Sequence, residues 1–355
     1  MKRPRGSHAS RLVTEKARVV MPRRGLRSQV TVAAAAMLAA TYFLSAWPSP
    51  APARALPAGL HRVASGLAMA DELTHRLTAG QLEDSYSVNG SAGPHLGWVY
   101  EDAAGLWVGI KAHRGWAGWF AETVHAAGPR VAWHAEVLPA ALQPEARGRG
   151  IAVFAVQTAT TQTSGVINYI VVAAVSRGRT YRWIVGYGHG VVAGAATDVL
   201  WTSPWHTGPA GADLPRVAVT VITDGRRRLA VWLGATEVFH SDHLELSIPA
   251  PFQAYLEVQS SGPPYSTRFE DFWVADDAPL RIEGLLPGQR ASLMTSGGRR
   301  TASAVAGADG TASLRLEGPL LAGTATLAVG VGSGAVRVYR AVAYAGGDTI
   351  RLEGR

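Results

Sequence analysis

The fold is decided by a stretch late in the chain, Tyr265-Ser266-Thr267-Arg268-Phe269-Glu270-Asp271-Phe272-Trp273-Val274. Aromatic and β-branched residues favour strands, and here they are interleaved with polar ones. Eight earlier segments share this character, and clusters of Gly, Pro, Asp and Ser separate them. The nine predicted strands are 106–111, 131–138, 151–158, 166–175, 180–186, 216–223, 229–233, 253–259 and 267–274. This pattern predicts an all-β fold, an antiparallel two-sheet β-sandwich.

The regions on either side of this sandwich, which spans residues 83–276, have different compositions. Upstream, the apolar residues between Leu60 and Leu77 recur every three or four positions, so we expect a helical spacer over residues 56–82. Downstream, a boundary falls at Asp276-Asp277-Ala278-Pro279, and no tryptophan follows Trp273. The alternating tail predicts a second, smaller β-sandwich over residues 279–355, which we interpret as immunoglobulin-like or prealbumin-like.

The first 55 residues are predicted to contain an N-terminal extension and a signal peptide or membrane anchor. Arg23, Arg24 and Arg27 precede an uncharged run that begins at Val30 and ends at Trp47. A Pro- and Ala-rich segment ending at Ala55 follows, with a small-x-small cleavage pattern. The run has 18 residues, long for a signal peptide and about sufficient for a tilted membrane helix. A cleaved signal peptide and a retained membrane anchor both remain open, and either predicts an extracellular or cell-surface protein.

The charge of the chain argues against nucleic acid as a partner. The formal net charge is +8, but ten of the 34 Lys and Arg and one of the 26 Asp and Glu lie in residues 1–55. Residues 56–355 therefore hold 24 basic against 25 acidic side chains, a nearly neutral balance without the electrostatic footprint of nucleic-acid binding. The chain has no cysteine, so its stability depends on packing rather than on disulfides.

The strand order carries a resemblance to a known superfamily. The segment Leu229-Ala230-Val231-Trp232-Leu233-Gly234 and the closing run 265–274 look like those of the concanavalin A-like lectin/glucanase superfamily. The resemblance covers roughly residues 83–276 and implies a jelly roll. Because that superfamily includes carbohydrate-binding modules, adhesion domains and glycoside hydrolases, it implies a polysaccharide or surface glycan as partner.

Two pairs of tryptophans are the candidate ligand contacts. Trp116 and Trp119 lie among glycines, Trp201 and Trp205 flank Thr202-Ser203-Pro204, and we expect both segments to be loops. Flat indole rings suit stacking on sugar faces. Tyr255 and Gln253 are further candidate contacts, because with Glu257 and Gln259 they form the polar side of one predicted strand.

The sequence supports catalysis less well than it supports ligand binding. The resemblance implies a strand with three alternating acids, Glu-x-Asp-x-x-Glu, and the chain has none. Its nearest substitute is His134 with Glu136, and Glu257 is a candidate for the second carboxyl that glycoside hydrolysis requires. The alternative interpretation is that these residues form the solvated polar face of an antiparallel sheet.

Metal binding is not predicted. Glu237, His240, Asp242 and His243 lie close together in sequence, but their spacing is not that of a zinc site. Calcium remains possible through Asp198, Asp213 or Asp224, although no calcium-loop spacing is visible. No cofactor is predicted.

Three hypotheses follow for the function. The first is an exported, non-catalytic protein that binds a glycan or surface partner through its jelly roll. The second is a polysaccharide-cleaving glycoside hydrolase that uses Glu136, Glu257 and His134. The third is a structural subunit of the cell envelope or of a filament.

Overall fold

The computed structural model describes residues 55–71, 73, 86–90, 97–111, 114–120, 129–140, 142, 148–158, 166–191, 196–208, 214–248, 251–295, 300–331 and 335–353. The predicted signal or anchor helix lies outside these residues. In the described part of the chain, no helix has the length and apolar character needed to span a bilayer.

The first sheet has eight strands. Their bounds are β3 Tyr86–Gly90, β6 Arg114–Phe120, β8 Gly150–Thr158, β9 Val166–Arg177, β10 Thr180–Val191, β11 Ala196–Thr202, β12 His206–Thr207 and β16 Phe252–Ser261. The order across the sheet is β11-β10-β9-β8-β16-β6-β3, and β12 pairs with the end of β10. All of these pairings are antiparallel.

The second sheet also has eight strands. Their bounds are β2 Leu67–Asp71, β4 Gly97–Asp102, β5 Gly105–Ile110, β7 Val131–Pro139, β13 Val217–Thr223, β14 Leu229–Leu233, β15 Thr236–Ser241 and β17 Tyr265–Asp276. The order is β15-β14-β13-β7-β17-β5-β4, and β2 lies beside the end of β17 that β5 leaves free.

One hydrophobic core lies between these two sheets. Alternate residues of the central strands enter it, including Phe154 and Leu256 from the first sheet and Trp133, Val137 and Phe269 from the second. All nine strands predicted for this region are present, and the predicted fold class, an all-β antiparallel sandwich of the jelly-roll type, is confirmed.

The C-terminal residues, together with strand β1 near the start of the described chain, form two smaller sheets around a second core. The bounds are β1 Leu60–Ala64, β18 Leu280–Glu283, β19 Arg290–Met294, β20 Arg300–Val305, β21 Ala312–Leu314, β22 Ala322–Val331, β23 Ala335–Ala345 and β24 Thr349–Leu352, with a 3-10 helix at Gly318–Leu321. One sheet has the order β1-β24-β18-β21 and the other β20-β19-β22-β23. Ile282, Leu293, Leu327 and Ile350 fill the core between them. We call this unit the C-terminal module. Its kinship with immunoglobulin-like or prealbumin-like domains remains a prediction.

The predicted helical spacer is wrong. Its first part forms β1, which pairs with β24 at the end of the chain, and β2, which pairs with β17 of the sandwich. Gly66 joins the two strands at a point where a Cβ would lie 1.9 Å from the carbonyl oxygen of Gly346. Asp348 stabilises this turn through both of its carboxylate oxygens. Its Oδ1 accepts a hydrogen bond from the Gly66 N–H at 2.8 Å, and its Oδ2 lies 3.2 Å from the Arg62 guanidinium. Long-range pairing therefore overrides the helical periodicity.

The C-terminal module packs against the outer face of the second sheet. Ala132 of β7 and Trp273 and Ala275 of β17 belong to its core. The backbone of its 3-10 helix also approaches this sheet, since a Cβ on Gly318 would lie 2.5 Å from the Trp232 ring. We call this surface, centred on β7 and β17, the junction face.

Candidate functional site

The candidate site is the outer face of the first sheet. In β16, Ala254, Leu256 and Val258 enter the sandwich core, so Gln253, Tyr255, Glu257 and Gln259 project to the opposite side. The predicted alternation of this strand is thus correct. Pairing across the sheet adds Gln157 beside Gln253, Trp116 beside Gln259, and Tyr169 of β9. We call this set of seven side chains the polar face.

The polar face is not the solvated surface that the sequence offered as an alternative. Tyr255 is 3% exposed and Glu257 is 2% exposed. Val153, Ala155 and Ala173 pack around Tyr255 in a small apolar cluster on the same side of the sheet. Hydrogen-bonding groups are therefore held in an environment of low polarity, where polar interactions are strengthened.

Glu257 is the central ionisable group of the polar face. The amide Nε2 of Gln259 donates a hydrogen bond to its Oε1 at 2.6 Å. Burial raises the pKa of the Glu257 carboxyl from 4.5 to about 8, against the opposing effect of the Gln259 hydrogen bond. The carboxyl group is therefore mainly protonated at neutral pH. Gly118 lies directly opposite in β6, where a Cβ would be 3.3 Å from the Cβ of Glu257.

The remaining side chains of this face are oriented by neighbours. The Tyr169 hydroxyl lies 2.9 Å from the Thr197 hydroxyl, and the Tyr169 ring covers Gly188, where a Cβ would be 2.1 Å away. The Nε2 of Gln157 donates to the Oε1 of Gln253 at 3.4 Å, and the Oε1 of Gln157 is enclosed with no hydrogen-bond partner among the described residues. A buried acceptor without a partner is uncommon in folded proteins, because most buried polar atoms form hydrogen bonds.

The predicted loop around Trp116 and Trp119 is wrong, because both belong to strand β6. Trp116 is 1% exposed and lies on the polar face. The side chain of Trp119 lies outside the described part of the structure. Glycine punctuates loops in most sequences, but here Gly115 and Gly118 pair regularly with Ser260 and Glu257.

The second tryptophan pair is divided between a strand and a loop. Trp201 belongs to β11, against the prediction, and packs against the sandwich core. Trp205 lies in the loop before β12, as predicted, and is 43% exposed. The guanidinium carbon of Arg182 lies 4.9 Å from the centre of the Trp205 ring. Arg182 alternates with the core residues Trp183 and Val185, so its side chain lies on the same side of the sheet as the polar face. Trp205, which contacts Arg182, is therefore exposed on that side of the sheet.

His134 and Glu136 lie on the opposite side of the molecule from Glu257. Both alternate with the core residues Trp133 and Ala135 of β7, so they project from the outer face of the second sheet. Glu136 pairs with Arg216 at 2.9 Å. The structure therefore does not bring Glu136 and Glu257 together as a catalytic pair.

His134 has the surroundings of a structural residue. Its ring stacks on Trp273 with the ring centres 4.6 Å apart, and its Nδ1 lies 2.8 Å from the Thr220 hydroxyl. Burial lowers the pKa of His134 to about 3, so the ring is neutral. It belongs to the junction face.

The acidic and histidine residues considered as metal ligands bind one another. His240 lies 2.8 Å from Glu237 and 3.3 Å from Asp242, and the Arg228 guanidinium also pairs with Asp242. Their charges raise the pKa of His240, chiefly through the Glu237 hydrogen bond. A cavity of about 190 Å³ between this group and the C-terminal module is lined by these paired charges.

The calcium candidates are separated. Asp198 pairs with His189 at 3.0 Å, while Asp224 accepts the backbone N–H groups of residues 226, 227 and 228 in the β13–β14 turn. Asp213 lies outside the described residues. Within the described chain, no cluster of three or more His, Asp or Glu could hold a metal ion.

Comparison with known proteins gives similar structures but no family. No protein-family model and no curated protein matches the sequence. The endo-1,3-β-glucanase from Streptomyces sioyaensis is similar over 64% of this chain and 100% of its own, with 12% identity and a TM-score of 0.39. The carbohydrate recognition domain of Emp46p is similar over 59% of this chain and 96% of its own, with 6% identity and a TM-score of 0.41. A Bacillus subtilis protein with a galectin-like fold is similar over 61% and 98%, with 11% identity and a TM-score of 0.38.

Sequence reasoning missed Tyr169 and Gln157. Both lie on the strands 151–158 and 166–175 that the sequence predicts, so alternation alone gives their side of the sheet. Which side faces the core depends on the pairing with β16, which the sequence does not show.

Proposed function

We propose that the protein is exported and binds a glycan through the polar face without hydrolysing it. The observation that carries this proposal is the composition of that face. Two aromatic hydroxyls, three carboxamides and the Trp116 indole surround one carboxyl group. Sites that bind small or linear ligands combine apolar walls with a few placed hydrogen-bonding groups, as here.

The position of Glu257 supports binding rather than hydrolysis. Glycoside hydrolases need two carboxyl groups on either side of the scissile bond, about 5 to 10 Å apart. Glu257 is the only acidic residue of the polar face among the residues that the structure describes. Glu136, the predicted second carboxyl, projects from the other sheet.

Trp205 provides the accessible end of this surface. Its ring is 43% exposed and is held by Arg182, so it can stack on a sugar ring without first being uncovered. A glycan chain would contact Trp205 first and extend toward the hydrogen-bonding groups around Glu257. The predicted signal or anchor would place this surface outside the cytoplasm.

Affinity electrophoresis of the full chain through gels containing a panel of polysaccharides tests the proposal. We expect retardation by at least one polymer and no new reducing ends after prolonged incubation. New reducing ends that disappear in Glu257→Gln would favour the hydrolase alternative instead. Large ordered assemblies without any retardation would favour the structural subunit.

A matched pair of variants tests whether the ligand binds on the side of the first sheet that carries the polar face. Trp205→Ala removes a ring that is 43% exposed on the proposed side, and Tyr100→Ala removes one that is 39% exposed on the outer face of the second sheet. We expect binding to weaken about tenfold in the first, in the range of one lost stacking contact, and to be unchanged in the second. The reverse pattern would place the ligand on the second sheet.

A further inference from the structure

Arginines gather at one end of the outer face of the first sheet. Arg114 begins β6 and pairs with Ser261 of β16. The N–H of Ser261 donates to the carbonyl oxygen of Arg149, which precedes β8. Arg177 ends β9, and Arg182 lies near the start of β10. The arginines thus lie on β6, β9 and β10 and directly before β8, which are four of the five consecutive strands β6, β16, β8, β9 and β10.

Alternation puts all four on the polar-face side. Arg114 is two residues from Trp116 and Arg149 is two from Ile151, which packs on the outer cluster around Tyr255. Arg177 follows Ala173 of that cluster by four residues. Arg182 pairs in register with Val175, which alternates with the core residue Ala174. Neighbouring strands are about 4.8 Å apart, so the row spans roughly 19 Å.

The charges of this row influence one another. Partial burial and then the charges of Arg177 and Arg182 lower the pKa of Arg149. No carboxylate among the described residues pairs with Arg114, Arg177 or Arg182. Arg62, Arg130, Arg216, Arg228 and Arg351 do have acidic partners, but Arg226 and Arg227 pair with none in the described chain. The Nε of Arg182 is enclosed and has no hydrogen-bond partner in the described chain.

We propose that the ligand of the polar face is an anionic polysaccharide, whose carboxylate or sulfate groups pair with Arg114, Arg149, Arg177 and Arg182. This proposal rests on the proposed function and adds the class of ligand. Guanidinium groups bind carboxylates and sulfates through paired hydrogen bonds, and a row of four matches a polymer with repeated charges. Trp205 lies beside the row and supplies the stacking surface for a sugar ring.

A polysaccharide fits this surface better than a nucleic acid. Single-stranded nucleic acids are bound by successive aromatic platforms along a basic groove. Trp205 is the sole tryptophan among the exposed large hydrophobic side chains of the described residues. The neutral Glu257 carboxyl and the carboxamides beside it suit hydroxyl groups.

Affinity electrophoresis of the full chain tests the proposal with polygalacturonate, κ-carrageenan, the neutral β-glucan laminarin and single-stranded DNA. The variant is Arg177→Gln with Arg182→Gln. The control is Arg226→Gln with Arg227→Gln, which removes the same charge from an exposed turn of the second sheet. We expect an acidic polysaccharide to bind most tightly, the variant to bind it at least about tenfold more weakly, and the control to bind normally. Binding should also weaken with added salt.

The other outcomes overturn the proposal in distinguishable ways. Binding of laminarin alone, unchanged in the variant, would refute the anionic ligand and leave glycan binding intact. Equal losses in variant and control would mean that only net charge matters. DNA bound as tightly as the acidic polysaccharides would assign the arginines to a different partner. If no polymer bound, the proposed function itself would fail.

Discussion

Glu257 and His134 are two enclosed ionisable side chains at the middle of strands on opposite sheets of one sandwich. Each is neutral near pH 7, one because burial raises its pKa and the other because burial lowers it. Their neighbours differ. His134 is stacked on Trp273 and bonded to Thr220 inside the junction with the C-terminal module. Glu257 lies among side chains with unused hydrogen-bonding capacity, such as the Oε1 of Gln157. The same degree of burial therefore serves cohesion on one sheet and, in our proposal, recognition on the other.

The largest expected effect is a loss of stability at the junction between the sandwich and the C-terminal module. Trp273→Ala removes a ring that is 4% exposed and touches both the sandwich and the core of the C-terminal module. We expect the free energy of unfolding to fall by about 3 to 5 kcal/mol. Urea denaturation followed by circular dichroism measures it. Trp205→Ala is the control and should cost less than about 1 kcal/mol, because Trp205 is largely exposed.

Glu257 should make the protein less stable in alkali. Its pKa is about 8 in the folded chain against the ordinary value of 4.5, so the unfolded chain releases this proton first. Its contribution is complete below pH 4.5 and is lost as the pH rises to about 8, with a total on the order of 3 to 5 kcal/mol. Glu257→Gln should remove this loss and be the more stable protein at pH 9. Equal pH profiles for the two proteins would show that Glu257 is not buried as a neutral acid.

His134, in contrast to Glu257, should make the protein less stable in acid. Its pKa is about 3 in the folded chain against the ordinary value of 6.5. Its contribution is therefore complete above pH 6.5 and is lost as the pH falls toward 3, on the order of 2 kcal/mol by pH 5. Direct measurement of the His134 titration by NMR checks this. A titration midpoint near 6.5 would contradict the enclosed junction.

A smaller effect is expected from the partner of His134. Thr220→Val keeps the shape of the side chain but leaves the His134 Nδ1 without its hydrogen bond. We expect a loss of about 1 to 2 kcal/mol from this enclosed pair. Thr180→Val is a control, because its hydroxyl bonds the Arg177 carbonyl in an exposed turn. Thermal unfolding of both variants should show the difference.

The sequence predicted the positions of the sandwich strands, but it did not predict which strands pair with one another. Alternation and β-branched composition indicated the nine sandwich strands and placed Gln253, Tyr255 and Glu257 on one side of β16. The same local evidence failed at residues 60–71, where pairing with β24 and β17 decides the structure. It also failed at Trp116, because Gly115 and Gly118 are compatible with a strand when a partner strand is present.

The candidate site depends on information that a single strand does not contain. Whether Glu136 and Glu257 converge is fixed by which sheet each strand joins and which side faces the core. The row of Arg114, Arg149, Arg177 and Arg182 arises from three separate segments, of which the β9–β10 hairpin supplies Arg177 and Arg182, and these segments become neighbours only in the sheet. Such juxtapositions follow from sheet order, which composition and spacing do not determine.

Hydrogen–deuterium exchange of the full chain, with and without the polysaccharide that it binds most tightly, tests the central claim most directly. We predict slower exchange at the ends of β8, β9 and β10 and in the loop that carries Trp205, with no change in β4, β5 or the C-terminal module. Protection confined to the second sheet or to the C-terminal module would contradict the assignment of the polar face as the binding surface.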